Sequence, residues 1–394
     1  MSIEERILEP ISDAELERRW SAVRAAMEAE RLDVLLIRAA NDYLGGYVRW
    51  FTDVPAAAGY PVMLVFPKDG GMTWISQVEF GLDRRLSGTD LPFRGVVRML
   101  GAPGYASASF TAAYELDALE AALAPLSAAS LGIVGPANFP YMLADRLRAQ
   151  RYSLRDASEL VDVVKMRKSD EEIEAIRRTA AMQDACMEEV LLSVRPGMRD
   201  IDVGAVAERT ARSRGSEQGV YLVASAPIGT GSPYGIQHYQ GRVIEEGDYV
   251  TVLVENNGAA GFYTELGRTF VLGQASDEMK QDMEFVLRAQ DHVASLLVPG
   301  TPCRDVWGAY GRYLEENRRP PERRLFCHGQ GYDLVERPLM RQDETLAVTA
   351  SMNVACHPTF AAAGNFATSC DNWLVGGAGA ERLHRFPRGL VELG

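Results

Sequence analysis

Cysteine is scarce, at five residues in 394, and no two cysteines fall in a CxxC spacing. An odd, dispersed set excludes a disulfide framework and points to free thiols in a reducing compartment. Histidine is equally scarce, at five. No run of about 18 apolar residues occurs, so no membrane-spanning helix is expected. The opening stretch MSIEERILEPISDAELERRW lacks the basic-then-apolar order of a secretory leader, and a cytoplasmic location is expected. Positive charge is in deficit: 41 Lys and Arg against 54 Asp and Glu leave a formal net charge of −13. That balance argues against nucleic acid or anionic membrane as partners, since both need a basic face. No internal repeat or low-complexity tract is seen.

The rest of the composition, 47% hydrophobic and 24% charged, is that of an ordinary globular chain. Its length exceeds the ~250–300 residues at which one core usually splits, so two domains are expected. SDAELERRWSAVRAAMEAERL reads as a helix, with Ser12 as its cap and Glu15 at the capping-box position. DVLLIRAA, YPVMLVFP, MTWIS and SLGIVGP are apolar runs of strand length, and YMLADRLRAQ reads as a helix. The first part is therefore α/β. Near residue 160 the character changes. Ser169, followed by Glu171 and Glu172, opens a long helix running to about Val194, and a second helix ends at Gly215. Strands dominate from there, interrupted by two helices at about 276–297 and 303–317. The expected domains are 1–160 and 161–394.

Several pieces of the second part carry chemistry. The dipeptide Cys-His occurs twice, in CHGQG with His328 and in NVACHPTF with His357. On an alternating strand Cys356 faces away from His357, which argues against a thiol–imidazole couple within the dipeptide. The cysteines are read as small buried apolar residues. Glu255 ends the apolar run VLVEN, where partial burial raises a carboxylate's pKa towards values useful for a general base. Glu265 alternates with Tyr263 in YTELGRTF, so both point to one face, while Arg268 points to the other and is read as a structural ion-pair former.

In their order, KMRKSDEEIEAIRRTA, HYQGRVIEEGDYVTVLVEN, GFYTELGRTF, CHGQGYDLVERP, SMNVACHPTF and SCDNWLV resemble the creatinase/aminopeptidase P family. The resemblance covers nearly the whole chain. It implies an α/β (α+β) fold, with a creatinase-like N-terminal domain followed by a pita-bread catalytic domain, and a homodimer. In the family's metallopeptidases, Asp, Asp, His, Glu and Glu bind two divalent metals. Those positions become Glu255, Glu265, His328, His357 and Cys370 here, and only the histidine is unchanged. Two close divalent ions need bridging carboxylates to offset their repulsion, so the loss of acids argues against a dinuclear centre. By resemblance His238 is the substrate-facing proton-transfer group, and Tyr263 and Arg337 hold a substrate carboxylate. Arg49 and Trp50, in a polar-aromatic loop, reach a partner's site.

The expectation from the sequence is a metal-independent hydrolase cleaving a non-peptide C–N bond of a small, carboxylated molecule, with no cofactor. Catalysis would rest on His238, Glu255, Glu265, His328 and His357. The first alternative is a mononuclear lyase or hydrolase, with zinc or iron on Glu255, Glu265, His328, His357 and Cys370, and a metallopeptidase is kept as a further enzymatic alternative. The second is a catalytically inactive binding protein.

Overall fold

The computed structural model describes residues 9–39, 46–55, 60–105, 107–362 and 364–393. They form two compact units, one over 10–165 and one over 166–393 together with Glu9.

In the N-terminal unit the helix Asp13–Ala29 starts at Ser12, whose hydroxyl accepts the Glu15 N–H at 3.1 Å. Its buried side carries Leu16, Trp20, Val23 and Met27. Val34–Ala39 pairs antiparallel with Val62–Pro67 and parallel with Ser130–Val134, at the centre of a mixed sheet. A central strand covered on both faces has no solvent side, which explains why VLLIRA is buried almost throughout. Leu119, Leu123, Leu143 and Leu147 from two helices close one face of this core.

In the second unit Ser169 and Glu172 form a complete capping box at the start of the helix Asp170–Ser193. That helix and Asp200–Ser213 pack their apolar stripes (Met182, Cys186, Val190, Val203, Ala207) on an antiparallel sheet. The sheet runs Gly219–Pro227, Asp248–Asn257 and Tyr263–Leu272, with Leu390–Leu393 parallel at the edge. A second sheet has the order Glu336–Leu339, Cys327–Gly329, Asn353–Cys356, Asp371–Val375 and Ala380–Arg382. The single run MNVACHPTF is in fact broken: Pro358 separates Asn353–Cys356 from a hairpin of Thr359–Ala362 and Asn365–Thr368. Proline cannot donate to a ladder, so the pairing changes partner there. Reciprocal backbone hydrogen bonds between Gly267 and Cys370, at 3.1 and 3.3 Å, join the two sheets. Among the described residues no helix is long and apolar enough to cross a membrane.

A buried polar layer holds this junction. Arg268 donates to Asp371 at 2.7 Å and to the Cys370 carbonyl at 2.9 Å, and both charged side chains are fully buried. Beside them, His384 accepts the Asn372 N–H on Nδ1 at 3.2 Å, so Nε2 carries the proton and donates to Gln183 Oε1 at 2.9 Å. Burial lowers the His384 pKa from 6.5 to about 3, with Asp371 opposing and Arg268 and Arg382 adding to the fall. The unfolded chain therefore binds a proton near pH 6.5 that the folded one refuses until near pH 3. Stability from this imidazole is complete above pH 6.5 and is lost on acidification, with a slope of about 1.4 kcal/mol per pH unit. We expect Tm to fall steadily below pH 6.5 and His384→Gln to flatten that limb. Parallel Tm-against-pH curves for the variant and the wild type would refute this.

Candidate functional site

Four of the residues singled out from the sequence meet where the two sheets join. Glu255 and Glu265 are direct cross-strand partners on Asp248–Asn257 and Tyr263–Leu272. His328 lies on Cys327–Gly329, and His357 immediately follows Asn353–Cys356. Cys327 and Cys356 are themselves cross-strand partners, so the two thiols share one face and the two imidazoles take the other. Burial and the adjacent Cys327 push the Cys356 thiol pKa well up. Both cysteines are fully buried on the far face, and both histidines point towards Glu265.

Glu265, His328 and His357 each place one ligand atom within 4.8 Å of the others. The Nε2 atoms of His328 and His357 lie 3.9 and 4.0 Å from Glu265 Oε2, and the rings stand edge to face with centroids 5.3 Å apart. His328 Nδ1 donates to its neighbour's carbonyl, Gly329 O, at 2.9 Å, which leaves the Nε2 lone pair aimed at Glu265. Burial lowers the pKa of His328, and burial with the His328 and Arg324 charges lowers that of His357 well below its usual value. Both imidazoles are therefore neutral, and neither pair is a salt bridge. His357 Nδ1 is buried with no hydrogen-bond partner among the described residues.

Glu255 stands beside this trio. Its Oε1 accepts Gln330 Nε2 at 3.0 Å, and Gln330 Oε1 accepts Asn372 Nδ2 at 2.9 Å. Asn372 Nδ2 also donates to Asn353 Oδ1 at 2.9 Å, and Asn372 Oδ1 accepts the Glu265 N–H at 2.6 Å. Burial first, then the Glu265 charge, raises the Glu255 pKa well above the carboxylate range, against the Gln330 hydrogen bond. Burial raises that of Glu265 too. The sequence reading missed this amide chain. Its signal was the two-residue spacing of Gln330 from His328 and of Asn372 from Cys370, which puts each on the face of its neighbour.

Other expected residues lie elsewhere. The Cys370 thiol donates to the Glu265 main-chain carbonyl at 3.6 Å and stays outside the trio. Tyr263 is buried, its N–H donating to Gly331 O at 2.6 Å. His238 is exposed on the turn Gln237–Tyr239. Arg337, placed by resemblance on a substrate carboxylate, is instead engaged by Glu344 at 2.5 Å. Arg49 and Trp50 are not in a loop. They sit in the helix Gly46–Thr52, buried within the N-terminal unit, with the Arg19 guanidinium 5.3 Å from the Trp50 ring centroid. The apolar neighbours Val48 and Phe51 draw that segment into the core.

The residues fit one divalent cation. The acceptor Nε2 of His328 faces a buried carboxylate, and such a pair repels unless a cation or shared proton lies between them. Donors bonded to one ion at ~2.0–2.2 Å cannot lie more than about 4.4 Å apart, and both His–Glu separations meet that limit. The contact of His328 Nδ1 with Gly329 O is the outer-shell hydrogen bond that fixes a ligating imidazole's tautomer.

Residues 174–383 match the model of metallopeptidase family M24, and the chain belongs to that family. It is 26% identical over 213 residues to the uncharacterized peptidase YqhT of Bacillus subtilis, covering 51% of this chain and 57% of that protein. It is 28% identical over 161 residues to the probable dipeptidase PepE of Mycobacterium tuberculosis, covering 41% and 42%. The chain thus spans about half the length of the curated relatives it matches. In structure it resembles the Xaa-Pro dipeptidase from Bacillus anthracis, with a TM-score of 0.76 and 21% identity over 96% of this chain and 100% of that one. At that identity the likeness is one of fold, the α/β pita-bread architecture that the sequence motifs imply.

These findings correct two expectations. A metal-independent hydrolase of non-peptide C–N bonds is overturned, because the family is one of metallopeptidases and the relatives are peptidases. The expectation of no cofactor falls with it. The sequence argument counted the acids lost from a two-metal site. Its first alternative placed one metal on Glu255, Glu265, His328, His357 and Cys370, and of these the structure brings Glu265, His328 and His357 together.

Proposed function

We propose that the chain is a metal-dependent peptidase, cleaving an amide bond of a short peptide with one divalent ion held by Glu265, His328 and His357. The observation that carries this is the buried Glu265 carboxylate faced by the Nε2 atoms of two neutral imidazoles, that of His328 being the unprotonated nitrogen. The relatives' names, peptidase and dipeptidase, supply the substrate class.

A divalent ion in such a site supplies Lewis acidity and makes a bound water easier to deprotonate. The rest is done by the chain. Glu255, directly across the ladder from Glu265, has one carboxylate oxygen fixed by Gln330 and the other available for proton transfer. Its raised pKa suits a base that takes a proton from water and returns it to the leaving amine. The amide chain from Asn353 through Asn372 and Gln330 holds the Glu255 carboxylate and the Glu265 main chain in place without adding charge. His238, exposed on its turn, is given no step.

The test is elemental analysis of purified protein together with hydrolysis of a dipeptide panel that includes Xaa-Pro sequences. About one tightly held divalent ion per chain is expected, as is loss of hydrolysis on chelation with recovery when the metal is returned. Full activity in metal-free protein would end this reading.

A further inference from the structure

Tyr234 lies between the strand Gly219–Pro227 and the turn Gln237–Tyr239, outside every motif that marked the site in the sequence. Its loop is pinned: the Gly235 carbonyl accepts Val223 N–H at 3.1 Å and Gln240 Nε2 at 2.8 Å. The ring packs edge-on against Phe366, with centroids 5.5 Å apart. These contacts aim the hydroxyl at Gly267. A Cβ on Gly267 would sit 2.5 Å from the Tyr234 hydroxyl oxygen and 3.0 Å from Cys370 Cβ. Only the missing side chain makes room.

Gly267 follows Glu265 by two residues on an unbroken strand, so the two share a face. The phenol therefore reaches the side of the sheet that carries the Glu265 carboxylate, beside Cys370. Its oxygen is buried, and no atom among the described residues meets it in full hydrogen-bonding geometry. The Thr368 hydroxyl lies close enough to act on it but is shared with Thr359 at 3.1 Å. Burial, with Cys370 and Glu265 nearby, raises the phenol's pKa, so it keeps its proton and can only donate or accept as a neutral group. A buried donor without a full partner is costly to keep, and sites that stabilise developing charge are built from such donors.

We infer that Tyr234 is a further catalytic residue of this site, its hydroxyl donating a hydrogen bond to the carbonyl oxygen of the scissile amide as that oxygen gains negative charge. No proton is transferred in this role. The donor is neutral, rigid and already desolvated, so it needs no reorganisation when charge appears. The inference rests on the peptidase reading, and one set of measurements separates the two.

In metal-loaded protein, Tyr234→Phe keeps the ring and its Phe366 contact and removes only the donor. Its kcat is expected to fall about 10²-fold, as when one such donor is lost elsewhere. KM, metal content and Tm should stay near the wild-type values. Affinity for a phosphinate isostere of the dipeptide, which carries the charged oxygen, should fall by a similar factor, while affinity for the product amino acid does not. Gly267→Ala places a methyl against the hydroxyl and should lower kcat too, and the further loss should be smaller in the Tyr234→Phe background, where the 2.5 Å clash is gone and only the 3.0 Å approaches to Cys370 Cβ and Leu253 Cδ1 remain. If the wild type is active and Tyr234→Phe keeps kcat within about threefold, the role is refuted. It is equally refuted if the variant loses metal in step with activity, since Tyr234 would then be supporting the ligands. Wild-type protein that neither hydrolyses dipeptides nor binds the isostere defeats the peptidase reading, and the Tyr234 role with it.

Discussion

Alanine at His328 is expected to strip the chain of its metal and of its activity together. The imidazole supplies one of three donors, and the bond of its Nδ1 to Gly329 O holds Nε2 towards the other two. Outer-shell changes typically cost 10–100-fold in metal affinity, and loss of a ligand should cost at least about 100-fold. The Lewis-acid contribution that disappears is worth several kcal/mol, or about 10³-fold in rate. Glu265→Gln should behave alike, because an amide brings no negative charge to the ion. The measurements are metal per chain after dialysis and dipeptide turnover in the same samples. A His328→Ala protein that holds a full equivalent of metal would show that the trio is not the site.

At Glu255 the outcome should be the opposite in one respect. Glu255→Gln should keep the metal yet lose about 10²–10⁴ in kcat, the usual contribution of a positioned acid–base group. The glutamine is nearly isosteric, and Gln330 can still donate to its carbonyl oxygen, so the fold and the amide chain through Asn372 survive. The limb of the pH–rate profile that reports ionisation of the base should flatten. Because Glu255 and Glu265 face each other in register, comparing the two Gln variants separates a metal-holding carboxylate from a proton-moving one. Loss of metal from Glu255→Gln, or turnover within about tenfold of wild type, would count against this division of labour.

Local chemistry made much of the chain legible. Ser12 and Ser169 cap the helices they were expected to start, because a capping hydroxyl satisfies an N–H only a few residues away. The apolar runs around Leu35, Val252 and Leu266 became strands buried on both faces. Alternation alone set Cys356 apart from His357 and put Tyr263 and Glu265 on one face. A period of two fixes which way a side chain points within its own strand. It says nothing about what waits there.

Tertiary structure decided the rest. Of the five candidate ligands, the bridge between Gly267 and Cys370 brings Glu265 towards His328 and His357 but turns the Cys370 thiol to a backbone carbonyl. Glu344 holds Arg337. Apolar neighbours fold Arg49 and Trp50 into a core. Tyr234 gains its place only because a glycine in a distant strand leaves the room. Each of these outcomes rests on contacts between segments far apart in sequence, where packing and the desolvation of charge determine which donors meet. The sequence by itself determined the elements, their faces and a short set of chemically able residues. Their convergence, and with it the change from an expected metal-free site to a ligand set for one cation, belongs to the fold.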